Sequence, residues 1–425
     1  LVKKYKYNPL INIYMGVPKY FSFVIQNYPT ILKNLDFFTI GGNKIHKLFV
    51  DANSIIYDCK HKLKEADFKS HDELENKIIN DVITYLDDLI KKTNPIYGTY
   101  ITFDGIPPFM KMEQQRMRRG RALFFEKYAD PNKWSLNNIT PTMPFMNKLS
   151  AKVYKHFEKR SDVLCSCSDE RGEGEQKIMK YIRENNMSNK NVAVYGLDAD
   201  LIMLTLLHLK YCKNIYVFRE APEFMKSKIP VSVKHAEEVY FVDIGLLGKR
   251  IPIEMGWESS DRILMEYVFV CFFLGNDFLP HIESINIHTN GIDVLFDAYN
   301  NCLKRGEYLV NIDYSINNVG LKKFIQYLLK DADKRIVYEK EELRRYKDRM
   351  MKRKYDDERM ENYKSVINVK ECEVCKECEE CKEVLEMRSE KYYERLCKVI
   401  KYYVGCVECV ECVECVECVE CVECV

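Results

Sequence analysis

Short β-prone runs that end in an acidic residue alternate with helical patterns over the first two-thirds of the chain, and this restricts the fold more than any other feature. KLFVD ends at Asp51, TYITFD ends at Asp104, and AVYG leads into Asp198 and Asp200. Such alternation is the mark of βαβ units around a mainly parallel sheet, so the expected class is α/β, a Rossmann-like arrangement with helices on the sheet. Strands are predicted over Lys47–Asp51, Tyr97–Asp104, Asn191–Tyr195 and Asn214–Phe218. Amphipathic helices are predicted over His71–Lys92, Lys111–Lys127, Gly174–Asn185 and Asp200–Leu209. The apolar stripe of Ile202, Leu204, Leu206 and Leu209 reads as core.

Parallel strands bring their carboxyl ends to one edge, where ligands of open α/β sheets bind. Asp51, Asp104, Asp198 and Asp200 are thereby expected at one place. Glu173 and Glu175, flanked by glycines at a helix start, and Asp277 in FLGNDFLPH join the set. Seven converging carboxylates repel one another without cations. Oxygen-only ligation favours hard divalent ions, so two magnesium or manganese ions are the expected cofactors. A pair of such ions suits in-line hydrolysis of a phosphodiester. Taken singly, each acid is equally well read as a surface residue at a turn; the repeated strand-end placement favours a site.

KMEQQRMRRGR, Lys111 to Arg121, follows the strand that delivers Asp104. On a helix, Lys111, Gln115, Arg118 and Arg119 share one face. Their donors suit a terminal phosphate monoester, with Pro107 and Pro108 setting the helix start. A solvated basic helix is the plainer reading of such a run, and its position beside Asp104 favours the phosphate.

A net charge of +1 is compatible with a basic channel balanced against an acidic site. The longest apolar run, Tyr267 to Leu274, is too short to span a bilayer, and Leu1 to Tyr14 lacks the pattern of a secretory signal, so an intracellular protein, cytoplasmic or nuclear, is expected without a membrane partner. Eleven of the 18 cysteines recur every third residue over Cys372–Cys381 and Cys406–Cys424. Lacking histidines and glycine knuckles, they read as low complexity rather than as a zinc or iron-sulfur site. The charged stretch Lys334–Tyr363 reads as a long solvated helix. His281 reads as a structural histidine.

MGVPKYFSFVIQNYP, LFVDANSIIYDC, TFDGIPPFMKMEQQRMRRGRA, NNITPTMPFM, GEGEQKIMKYIR, VYGLDADLIMLTLL and CFFLGNDFLPHIESINI resemble the successive blocks of the Xrn family of 5′-to-3′ exoribonucleases, in the family's order. The resemblance implies a nuclease domain of the PIN or flap-endonuclease type over 15–300, a helical continuation over 301–405, a repeat over 406–425 and an extension over 1–14. It implies that Asp51, Asp104, Glu173, Glu175, Asp198, Asp200 and Asp277 bind the metals. Lys111, Gln115, Arg118 and Arg119 match the residues that hold the 5′ monophosphate. The implied activity is digestion of 5′-monophosphate single-stranded RNA to mononucleotides, by a protein expected to act as a monomer. Tyr57 stands where the family has histidine and is expected to stack on a base. Arg171 replaces a proline, Gln176 replaces a histidine, and the CVE repeat stands where the family has a tryptophan-rich wall, leaving Trp134 as the tryptophan placed near the core. The rival readings are a flap-type 5′ nuclease of DNA and a silent RNA-end-binding scaffold.

Overall fold

A computed structural model describes residues 20–108, 111, 112, 115, 116, 119, 120, 134–220, 226, 229–235, 239–280, 282, 284–351 and 379–405. The expectations for the extension over 1–14, Arg118, His281 and the CVE repeat lie outside them. The described residues divide into a sheet unit, within Lys19–Met265 and from Lys401 on, and a helical unit, within Glu266–Ile400.

In the sheet unit the strands are β1 (Leu32–Lys33), β2 (Lys47–Asp51), β3 (Thr99–Thr102), β4 (Val163–Ser166), β5 (Asn191–Tyr195), β6 (Asn214–Glu220) and β7 (Val239–Asp243). They form one sheet in the order β1-β7-β6-β5-β2-β3-β4. The five strands from β6 to β4 are parallel, and β7 pairs antiparallel with both β6 and β1. The expected α/β class with a mainly parallel sheet is the observed one. The strands at its centre have no polar face. Leu48, Phe49 and Val50 of β2 and Val192, Ala193 and Val194 of β5 are all fully buried, as strands covered on both sides must be. From β2 the chain moves outward to β3 and β4, then returns to place β5 on the other side of β2. Strand order therefore reverses beside β2, where a crevice opens at the carboxyl ends of such sheets.

The helices that matter to this edge are α1 (Asn53–His61), α2 (His71–Thr93), α3 (Pro144–Phe157), α4 (Gly174–Glu184) and α5 (Asp200–Leu207). In α2, the Ser70 hydroxyl caps the N–H of Glu73 at 3.2 Å, and Asn94 ends the helix at φ 42°. Its buried stripe runs Leu74, Ile78, Ile79, Val82, Leu86, Leu89, Ile90. That spacing is the helical period and lays one face on the core. Helix α5 is buried at every position from Asp200 to Leu207, so Ile202, Leu204 and Leu206 serve as core, while Leu209, beyond the helix, is half-buried. Trp134 is buried too, its indole N–H donating to Glu75 at 3.1 Å. Among the described residues no helix is long and apolar enough to cross a membrane.

The helical unit contains Gly291–Cys302, Asn318–Leu329 and Ala332–Met351. The last overlaps the long charged helix read from the sequence. Compact packing divides the described residues after Met265. Within the helical unit the fully buried carboxyl of Glu266 accepts the N–H groups of Leu309 and Val310 at 2.7 and 2.9 Å. A buried charge held by two backbone donors ties its own stretch of chain to the residues that supply them.

Candidate active site

Six of the seven expected acids act on one another at the carboxyl edge. Asp51 is the last residue of β2, between β3 and β5. Asp104 follows β3 by two residues, Asp198 follows β5, and Asp200 opens α5. Glu173 stands at the N-cap position of α4 and Glu175 lies in its first turn. The start of α4 reaches the sheet because Gly174 has no side chain: a Cβ there would stand 2.6 Å from Asp51 Oδ1. Asp277 belongs to the helical unit, half-buried beside Asn276, whose side-chain oxygen accepts the N–H groups of Phe278 and Leu279 at 2.9 Å.

Asp104 is held at both oxygens. The N–H of Gly174 donates to Oδ1 at 2.7 Å, and the Asn53 amide donates to Oδ2. Asn53 also accepts the N–H of Asp104 at 3.1 Å. Behind them Lys177 is buried, donating to the carbonyls of Phe103 and Cys167 at 2.9 and 2.8 Å. It thereby fixes the backbone on which Asp104 sits.

Burial, followed by the charges of Asp104 and Asp198, holds the Asp51 carboxyl well above the usual carboxylate range. Burial and then Glu173 do the same to Glu175. Asp104 is raised to about 6, chiefly by burial and then by Glu173, while the Gly174 N–H and Lys111 pull it back. These carboxylates are destabilised as anions, and a cation would relieve them. The donor set is all oxygen, and Asp51 Oδ1 is buried without a hydrogen-bond partner among the described residues. Both observations fit a hard divalent ion. Among the described residues no three His, Cys, Asp or Glu side chains already enclose a metal position. Lys111 and Tyr402 bear on the same carboxylates. The Lys111 ammonium lies 3.1 Å from Glu173 Oε1. The Tyr402 hydroxyl donates to Glu173 Oε2 and lies 2.9 Å from Glu175 Oε1.

Lys111, Met112, Gln115, Arg116, Arg119 and Gly120, the described residues of the basic stretch, are helical. Gln115 is buried and accepts from Arg119 at 3.1 Å. Tyr57 packs its half-buried ring against the core. Gln176, in the place of the family's histidine, has its amide nitrogen buried without a partner among the described residues. Asn53, Lys177 and Tyr402 were not singled out from the sequence. Asn53 sits in the same LFVDANS block as Asp51 and was within reach; Tyr402 lies more than two hundred residues from the acids it touches.

Two family models match in succession: the XRN 5′-3′ exonuclease N-terminus over residues 15–221 and the Xrn1 helical domain over residues 258–400. The chain belongs to the Xrn family. Its similarity to 5′-3′ exoribonuclease 1 of Saccharomyces cerevisiae is 29% identity over 351 residues, which is 74% of this chain and 22% of that protein. With 5′-3′ exoribonuclease 2 of Eremothecium gossypii it shares 28% over 392 residues, 74% of this chain and 41% of the relative. With 5′-3′ exoribonuclease 1 of Schizosaccharomyces pombe it shares 28% over 356 residues, 76% and 26% of the two chains. This Xrn-family chain thus spans less than half the length of the curated relatives it matches. A looser likeness joins it to the catalytic core of Rad2 in complex with DNA substrate, with TM-score 0.39, 16% identity and coverage of 74% of this chain and 83% of that one. That likeness is too low to bear on substrate.

Proposed function

We propose that this chain is a 5′-to-3′ exoribonuclease that hydrolyses single-stranded RNA with a 5′-monophosphate end to nucleoside 5′-monophosphates, using two magnesium or manganese ions. The observation that carries the reading is the group of six acids at the strand-order reversal, with Asp51, Asp104 and Glu175 raised by burial and mutual repulsion. Asp51, Asp104, Glu173, Glu175, Asp198 and Asp200 would hold the ions. The chemistry such ions supply is activation of water and stabilisation of the departing 3′ oxygen.

The chain's own residues do the rest. Asn53 and the Gly174 N–H fix Asp104, so its oxygens need no reorganisation on substrate binding. Lys111, beside Glu173, would meet the terminal phosphate next to the acids, and Gln115, Arg118 and Arg119 would complete its grip. Tyr57 would stack on a base. Family membership and the names of the relatives support RNA as substrate and the 5′ end as the point of entry.

The experiment compares three RNAs of one sequence with 5′-monophosphate, 5′-hydroxyl and capped ends. Fast digestion of the first alone is expected, and Lys111→Ala should remove the preference. Equal digestion of all three would refute the phosphate pocket.

A further inference from the structure

Tyr402 lies in the last turn of the helix Glu379–Val404 and is almost completely buried, as are Glu173 and Glu175. Its hydroxyl donates to Glu173 and bridges to Glu175 at 2.9 Å. The residues after it pack against the far end of the same helix α4. Gly405 has φ +65°, and a Cβ there would stand 2.2 Å from Arg183 Nη1. Arg183 in turn lies 2.9 Å from His208 Nε2, and His208 Nδ1 lies 2.7 Å from the Leu204 carbonyl. The end of the late helix is therefore fixed at both ends of α4, and the tyrosine ring has little freedom.

Two buried carboxylates side by side repel and turn away from each other unless something holds them. A cation holds them by cancelling charge, which competes with a metal ion. A hydroxyl orients the carboxylate that receives its one proton, here Glu173, without cancelling its charge. Outer groups that hydrogen-bond to ligating carboxylates set their orientation and thereby the affinity of the site. We infer that Tyr402 is a positioning residue, holding Glu173, beside Glu175, in the orientation in which it faces the divalent ions. The inference deepens the nuclease reading and rests on it for its kinetic arm. It also gives the end of the late helix a direct part in building the site.

The test uses the full chain as wild type, Tyr402→Phe and Tyr403→Phe. Tyr402→Phe keeps the ring and deletes the hydroxyl; Tyr403 is the buried neighbour, its ring 5.8 Å from that of Tyr402. Manganese binding is followed by the electron paramagnetic resonance of the free ion, folding by thermal melting, and kcat and KM on 5′-monophosphate RNA. For Tyr402→Phe, Mn2+ affinity should fall by roughly ten- to a hundredfold. Its kcat should fall with it at unchanged KM, while Tyr403→Phe matches wild type. Tyr402→His, which restores a ring N–H donor, should recover part of the loss and carries the test if the phenylalanine variant unfolds. Wild-type Mn2+ affinity in Tyr402→Phe, or no Mn2+ binding by the folded wild type, would overturn the inference. Tyr402-dependent Mn2+ binding by a wild type that degrades no RNA would sink the nuclease reading and leave the role of Tyr402 standing.

Discussion

Gly174 stands between Glu173 and Glu175, and replacing it with alanine separates two effects that usually go together. On an exposed helix the change would stabilise by at most about 1 kcal/mol. Here the new Cβ would lie 2.6 Å from Asp51 Oδ1, 3.3 Å from Asp51 Cγ and 3.1 Å from Thr102 Oγ1. Ordinary contacts begin near 3.5 Å, so Asp51 or the start of α4 must move by roughly 0.5–1 Å. Overpacking of this kind costs about 1–3 kcal/mol. After the helical gain, the net loss is about 0–2 kcal/mol, a fall in Tm of no more than about 8 °C. Misplacing a reacting group by about 1 Å can cost on the order of a hundredfold in rate. Gly174→Ala should therefore lose roughly ten- to a hundredfold in kcat while remaining folded. Both are read from one preparation, by thermal melting and by release of labelled mononucleotide. A folded variant with wild-type kcat would refute the close packing of α4 on Asp51 as a condition of activity.

Lys177→Met should leave the Phe103 carbonyl buried without its donor, while the Cys167 carbonyl keeps the N–H of Glu170 at 3.2 Å. At about 1–3 kcal/mol for the one orphaned acceptor, Tm should drop by at least about 2 °C; a shift within a degree would contradict this. In chelator, stability should also depend on pH through the acids. The folded chain lifts Asp104 from 3.8 to about 6 and prefers its proton. That contribution is complete below pH 3.8 and is lost as pH rises through about 6. Tm should therefore fall over that window in wild type, less so in Asp104→Asn, and magnesium at neutral pH should restore it. Identical pH profiles for the two proteins would refute the assignment.

The centre of the sheet was legible because strands buried on both faces read as unbroken apolar runs: β2 and β5 begin and end where periodicity puts them. Strand β3 starts two residues later than Tyr97 because Gly98, at φ 78°, turns the chain before the ladder begins. Strands β1, β4 and β7 were not read. The first has two residues, β4 is an edge strand with Leu164 exposed, and β7 follows a stretch without helical or strand period. Strand-end acids were visible because topology alone brings parallel carboxyl ends together. What holds them was not. Asn53 acts through an amide pair with Asp104, Lys177 through two carbonyls, and Tyr402 through a bond that only the folded chain closes. None of these has a period or spacing to betray it.

The most direct measurement is the release of nucleoside 5′-monophosphates from 5′-monophosphate single-stranded RNA, with magnesium and with chelator, by the wild-type chain and by Asp198→Ala. Mononucleotides from the wild type in magnesium only, with none from Asp198→Ala, is the predicted result; a folded wild type that leaves the RNA intact in magnesium would contradict it.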